Sequence, residues 1–208
     1  MPNTTNYSFP TPADSDLVKN GADAIRDLGD AVDTAMNTAL GTKKAMGVLL
    51  STVSFSGVAS VSLAADTFTS TYTNYKIIFQ NISPANSLSV TMRLRASGSD
   101  NSSATYDSTI LYGSASSALA SSTNNGTSFA FSVGARQRTT IIADILNPKE
   151  SKVTFLSSLV FETTDGSTQA ASIVNGQFDN TTSFDSASFI ASGVNLMTGE
   201  YSVYGYNK

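Results

Sequence analysis

Cysteine and histidine are both absent from the 208 residues. Without thiols there are no disulfides, and the redox compartment cannot be read. Without thiolate or imidazole ligands, zinc, haem and iron–sulfur sites have no natural donors. A Ser–His–Asp or Cys–His catalytic constellation is excluded outright. No run of eighteen apolar residues offers a membrane span, so no membrane insertion is expected. The opening "MPNTTNYSFP" carries neither the basic stretch nor the apolar core of a signal peptide. Charge is also scarce. Only 13% of residues are Asp, Glu, Lys or Arg, about half the usual ~25%. The surface is therefore polar through Ser, Thr and Asn, a composition that suits long-lived extracellular particles.

The charge that exists is unevenly placed. Residues 1–40 hold six acids against Lys19 and Arg26, a net of −4. Residues 41–208 hold ten acids and ten bases, a net of zero. No basic footprint for nucleic acid is present.

Residues 1–13 contain Pro2, Pro10 and Pro12 and read as an extended arm. "TPAD" then resembles a helix start, with Thr11, Asp14 or Ser15 as alternative caps and Pro12 suited to the first turn. The spacing predicts a helix over 14–41, ended by Gly41, with a break near Asn20–Gly21 as an alternative. Val18, Ile25, Val32 and Ala39 recur every seven residues, and Gly21, Leu28 and Ala35 form a second series. Together they make an a/d seam over about three heptads. Either this face packs on the chain's own β region, or it packs on copies of itself. Seam chemistry alone leans towards two strands, but its length does not decide.

From about residue 45 the pattern changes to period two. "LSVTMRLRA" (88–96) alternates strictly, with Leu88, Val90, Met92, Leu94 and Ala96 on one face. "KVTFLSSLVF" puts Val153, Phe155, Leu159 and Phe161 on one face. Further strands are "YKIIFQNI", "STILYG", "TTIIADIL", "QAASIVNGQF", "FDSASFIA" and "EYSVYGY". Turn signals such as Asn147–Pro148 and Thr198–Gly199 separate them. Nine or ten short strands without intervening helices predict a mainly β fold, an antiparallel jelly-roll-like β-sandwich over 42–208. Two polar stretches, 97–105 and 113–127, read as surface loops, where recognition residues concentrate. Tyr106, Tyr112, Asn124 and Asn125 in or beside them are the candidate receptor-facing residues, because tyrosine offers a flat apolar body and a polar tip to a sugar ring.

Chemistry has few other candidates. A glycosidase needs two carboxyls about 5–10 Å apart; the acids of 41–208 occur singly, half of them beside turn residues, and only strand pairing could bring two together. "SGSDNSS" offers too few carboxylates for calcium, and no phosphate-loop pattern appears. The chain reads as non-enzymatic, with no catalytic residues, cofactor or metal.

"YSFPTPADSDLVKNGADAIRDLGDAVDTAM" resembles the N-terminal segment of tail-fibre and minor tail proteins of tailed bacteriophages. Pro10, Pro12, Asp14, Asp16, Leu17, Val18, Gly21, Ala22, Ile25, Leu28 and Asp33 carry the likeness. "TNYKIIFQNI", "LSVTMRLRASG", "FDSASFIAS" and "GEYSVYGYNK" resemble the β-sandwich tips of phage fibres. The resemblance spans about residues 7–40 and most of 74–208. It implies a homotrimeric virion protein on the tail or head exterior. The arm would bind other virion proteins, a coiled-coil helix would gather three chains, and the sandwich would project towards host carbohydrate or protein. A head fibre or capsid decoration protein shares that architecture, and a glycan depolymerase is the enzymatic competitor.

Overall fold

A computed structural model describes residues 8–9, 20–42, 47–84, 88–114, 118–135, 138–164, 168–192 and 196–207. The chain divides into two compact units, Met1–Ala45 and Met46–Lys208. The first contains one helix, α1 (Gly21–Thr42), preceded by a single 3-10 residue at Asn20. The expected helix start at 14, most of the arm and Val18 lie outside the described residues, as does the side chain of Ala39. Asp23 sits in the first turn, where a carboxylate opposes the positive end of the helix dipole, and it pairs with Arg26 one turn on.

The second unit is two antiparallel sheets. Its strands are β1 (Val48–Val58), β2 (Ser60–Ser62), β3 (Asn74–Pro84), β4 (Leu88–Ala96), β5 (Ser99–Asp100), β6 (Tyr106–Ser114), β7 (Ala118–Gly126), β8 (Phe129–Ala135), β9 (Arg138–Leu146), β10 (Thr154–Thr164), β11 (Thr168–Phe178), β12 (Ser186–Ala191) and β13 (Met197–Tyr206). Eight of them form one sheet in the order β1-β13-β3-β9-β10-β11-β6-β7. The other sheet runs β2-β12-β4-β5, with β8 also paired to β4.

Between the sheets lies an aromatic and aliphatic core. The alternation read in 88–96 is realised: Val90, Met92 and Leu94 are buried, while Thr91, Arg93 and Arg95 are half-buried on the other face. Phe79 on β3 stands at its centre, with ring centroids 4.7 Å from Phe189, 5.6 Å from Tyr201, 5.7 Å from Phe131 and 6.2 Å from Phe55. Edge-to-face pairs of this kind add about 0.5–1.5 kcal/mol each beyond burial.

Two expectations fail here. Residues 118–126 are not a loop but the edge strand β7, paired with β6. Its side chains are exposed on both faces, so no alternation marks it in the sequence. Tyr106 is not at the surface but fully buried, ringed edge-on by Phe129 and Phe178 at 4.8 Å each. Its hydroxyl accepts from the Leu94 N–H at 3.1 Å and donates to the Asn101 carbonyl at 2.9 Å. The phenol thus pins the polar stretch 97–105 onto β4.

Burial pushes the Tyr106 hydroxyl up to about 12, and burial also raises Tyr201. The unfolded chain therefore loses these protons first, near its ordinary tyrosine pKa of about 10, and stability falls as pH rises through the window between about 10 and about 12. Tyr106→Phe should cost about 1–2 kcal/mol at pH 7, because two buried backbone groups lose a partner, and should flatten part of that alkaline decline. Urea unfolding at pH 7 and across pH 9–12 checks both.

Candidate functional site

Side chains of the eight-stranded sheet that face away from the core form rows across the strands, because directly opposed residues share a face. One row runs Ala120–Leu111–Ile173–Leu159–Ile142–Ile78 across β7, β6, β11, β10, β9 and β3. Two residues along the strands, the next row reads Thr109–Asn175–Ser157–Asp144–Lys76–Tyr204. A further step gives Asp107–Gln177–Phe155–Leu146. The face is therefore split, apolar towards one end of the strands and polar towards the other.

The polar end holds an open groove of about 380 Å³, lined by Asp107, Thr109, Asn124, Phe155, Asn175 and Gln177 among others. Phe155 is 43% exposed and lies flanked by hydrogen-bonding side chains. Asp107 is held by its neighbours. The Gln177 amide donates to its Oδ2 at 3.2 Å, and the Asn125 N–H donates to its Oδ1 at 2.9 Å. A register shift in the β6–β7 pairing, between Tyr106 and Ser108, places Asn124 and Asn125 opposite Asp107. Asn125 takes a left-handed backbone (φ 54°), a conformation that asparagine tolerates better than most residues.

An exposed ring beside amide and carboxylate groups can stack on the apolar face of a pyranose while the polar groups bond its hydroxyls. Of the four expected receptor-facing residues, Asn124 and Asn125 reach this groove or support it. Tyr112 is half-exposed on the opposite face of β6, and Tyr106 is in the core. Sequence reading missed Phe155, Asn175, Gln177 and Asp107. They are far apart in the chain, and only strand register joins them.

The arginines of β4 serve the second sheet. Arg95 lies 3.5 Å from Asp100 and donates to Ser188 Oγ at 3.0 Å, while Arg93 donates to the Thr127 carbonyl at 3.1 Å. On the large sheet, Lys76 meets Asp144 at 2.7 Å, and the Tyr206 hydroxyl donates to the same carboxylate at 2.8 Å. Burial and that carboxylate both raise Tyr206 far above the ordinary tyrosine range.

No protein-family model matches the chain, and neither does any curated protein or solved structure.

Beneath the groove, Gly176 allows close approach of β11 to β6. A Cβ there would stand 2.7 Å from the Asp107 carbonyl oxygen and 2.7 Å from the Phe129 ring. Gly113, on the same pair of strands, has open space around the equivalent position. Gly176→Ala should destabilise by about 1–3 kcal/mol through overpacking, and Gly113→Ala by less than about 0.5 kcal/mol. Denaturant midpoints of the two variants compare them directly.

Proposed function

We propose that the chain is a non-enzymatic bacteriophage virion protein, a homotrimeric tail-fibre-like subunit. Its β-sandwich recognises carbohydrate on the host surface from the exterior of the particle. The arm of residues 1–13 attaches it to other virion proteins, and α1 gathers the copies as a short coiled coil. Repeated crossing of the chain between the two sheets supports the jelly-roll-like description of the projecting part.

One observation carries the assembly. Gly21, Ile25, Leu28, Val32 and Ala35 lie along one side of α1; in the single chain Ile25 remains 69% exposed, and Gly21, Leu28, Val32 and Ala35 are half-buried. Met36 is exposed as well. A lone helix of 22 residues with two glycines is marginal in water. Burying each Val, Ile or Leu of the seam against copies adds roughly 1.5–3 kcal/mol, enough to hold it. The resemblance of the N-terminal segment to phage fibre proteins favours three copies over two.

The groove supports recognition over a purely decorative role. Its ring, amides and single held carboxylate suit binding, whereas a glycosidase would need a second carboxyl within about 5–10 Å. Asp107 is the acid lining it among the described residues.

Two measurements test the reading. Light scattering of the full chain should give the mass of three subunits, and Ile25→Asp with Leu28→Asp should give one. A single-chain mass for the unmodified protein overturns the assembly. Phe155→Ala should weaken retention on host cells or their purified polysaccharide about tenfold, the equivalent of ~1.4 kcal/mol, with the three-subunit mass intact. Unchanged retention would remove the groove from the function.

A further inference from the structure

Strand β10 carries large apolar side chains on both faces. Leu156 and Val160 point into the core, yet Phe155, Leu159 and Phe161 point out and stay exposed. Such a sequence is characteristic of a strand covered on both sides. Its neighbours continue the pattern, since the apolar row through Leu159 extends to Ile142 and Ile78 on one side and to Ile173 and Leu111 on the other. Leu111, Leu159, Phe161 and Ile173 are each between 37% and 54% exposed. Together with Ala118, Ala120 and Ala171 they leave on the order of 400–500 Å² of apolar surface in one patch. That is the size of the largest apolar patch on a typical monomer, ~300–600 Å², which is often functional. It is also about the apolar share of the ~800 Å² that each partner covers in a standard interface. The row carries no charge from Ala120 to Ile78, and in the row beyond it Ala118–Gly113–Ala171–Phe161–Thr140 carries none either.

The patch also has relief. Phe161 stands beside a hollow of about 530 Å³ whose floor includes Gly113 and Ala171, with Thr140 and Arg138 on its other side. Gly113 has nothing within 4 Å of where a Cβ would stand. A projecting ring next to a hollow with room for one is the shape of a surface that complements another copy of itself.

We propose that this apolar half of the outer sheet face is where the sandwiches of neighbouring subunits meet, Phe161 of one copy entering the hollow over Gly113 and Ala171 of the next. The inference rests on the homotrimeric reading above and specifies its second contact. Five residues join α1 to β1, so copies gathered through their helices hold their sandwiches at high effective concentration, and a patch of modest size then suffices. In a closed trimer the contact is head to tail, so every copy uses both ring and hollow. The polar groove begins in the row next to Leu159, at Thr109 and Asn175, and its Phe155 lies two rows beyond Leu159, away from Phe161 and the hollow.

The chain has no cysteine, so introduced thiols report without background. Gly113 and Phe161 lie two strands apart, roughly 9–10 Å, beyond the ~7 Å that a disulfide can bridge within one chain. In the full-length Phe161→Cys/Gly113→Cys protein, mild oxidation should remove most of the monomer band on a non-reducing gel and yield linked dimers and trimers. Phe161→Cys alone should stay monomeric on the same gel. If the double variant keeps a three-subunit mass by light scattering but forms no links, the helices hold the trimer and this surface does not, which overturns the inference alone. Links that form equally in the single variant overturn the pairing of ring with hollow. A single-chain mass for both the variant and the unmodified protein overturns the trimer itself, and this contact with it.

Discussion

Phe79 touches Phe189 and Phe131 from one sheet and Phe55 and Tyr201 from the other. One ring on β3 therefore ties β1, β8, β12 and β13 into a single packed layer. Strands so distant in sequence can meet only if each presents the correct face, because a slip of one residue turns every side chain over. The sandwich has no disulfide or metal ligand of the Cys or His type to correct such a slip, and few ion pairs among the described residues. Register is instead enforced by the inward rings themselves, with Tyr106, Phe129, Phe178 and Phe184 forming a second cluster of edge-on contacts. Buried polar groups are placed to help. The Tyr75 hydroxyl donates to the Thr69 carbonyl at 3.0 Å, and the Tyr106 hydroxyl bridges β4 to the segment after it.

That constraint governs how much of the fold was legible. β4 alternates cleanly because one face is core and the other half-open, so its period and inward set both show in "LSVTMRLRA". β10 was legible as a strand but not in orientation. Its larger apolar side chains, Phe155, Leu159 and Phe161, face outward, while Leu156 and Val160 share the inward face with the small Ser158 beneath Phe131. The core selects volume that fits between the sheets, not the greater hydrophobicity. β7 was illegible for the opposite reason, since an edge strand exposed on both faces needs no apolar period. Tyr106 and Tyr112 look alike in sequence and share a face of β6, yet only the first is fully roofed by Phe129 and Phe178. Such differences are set across the sandwich and leave no local mark.

The candidate groove was less legible still. Asp107, Phe155 and Gln177 fall on three strands and become neighbours only through the pairings β6–β11 and β11–β10. The asparagines of β7 were found by composition, and their role follows from the irregular pairing that turns them towards Asp107. A fold made of long antiparallel pairs can assemble a site in this way without any sequence motif.

Low charge links the helix and the sheet face as a single physical problem. A soluble chain ordinarily guards exposed apolar rows with Lys or Glu on the same face, and guards edge strands with charge or proline. Neither device is used in the row through Leu159, and β1, an edge strand, contains no charged residue or proline in "VLLSTVSFSGV". The acids of α1, Asp23, Asp27, Asp30 and Asp33, lie instead off its seam. In the proposed assembly this division is consistent at every level. The acids keep the rod soluble without interrupting its apolar line, neighbouring copies close the uncharged rows of the sheet face, and the rows that hold the groove stay open to ligand. A chain meant to stay solitary would gain from a single lysine at Leu159 or Ile173, whose side chains are partly exposed. The lack of such protection on the Leu159 row and on the seam of α1 supports the proposal that each surface is covered by copies of the chain.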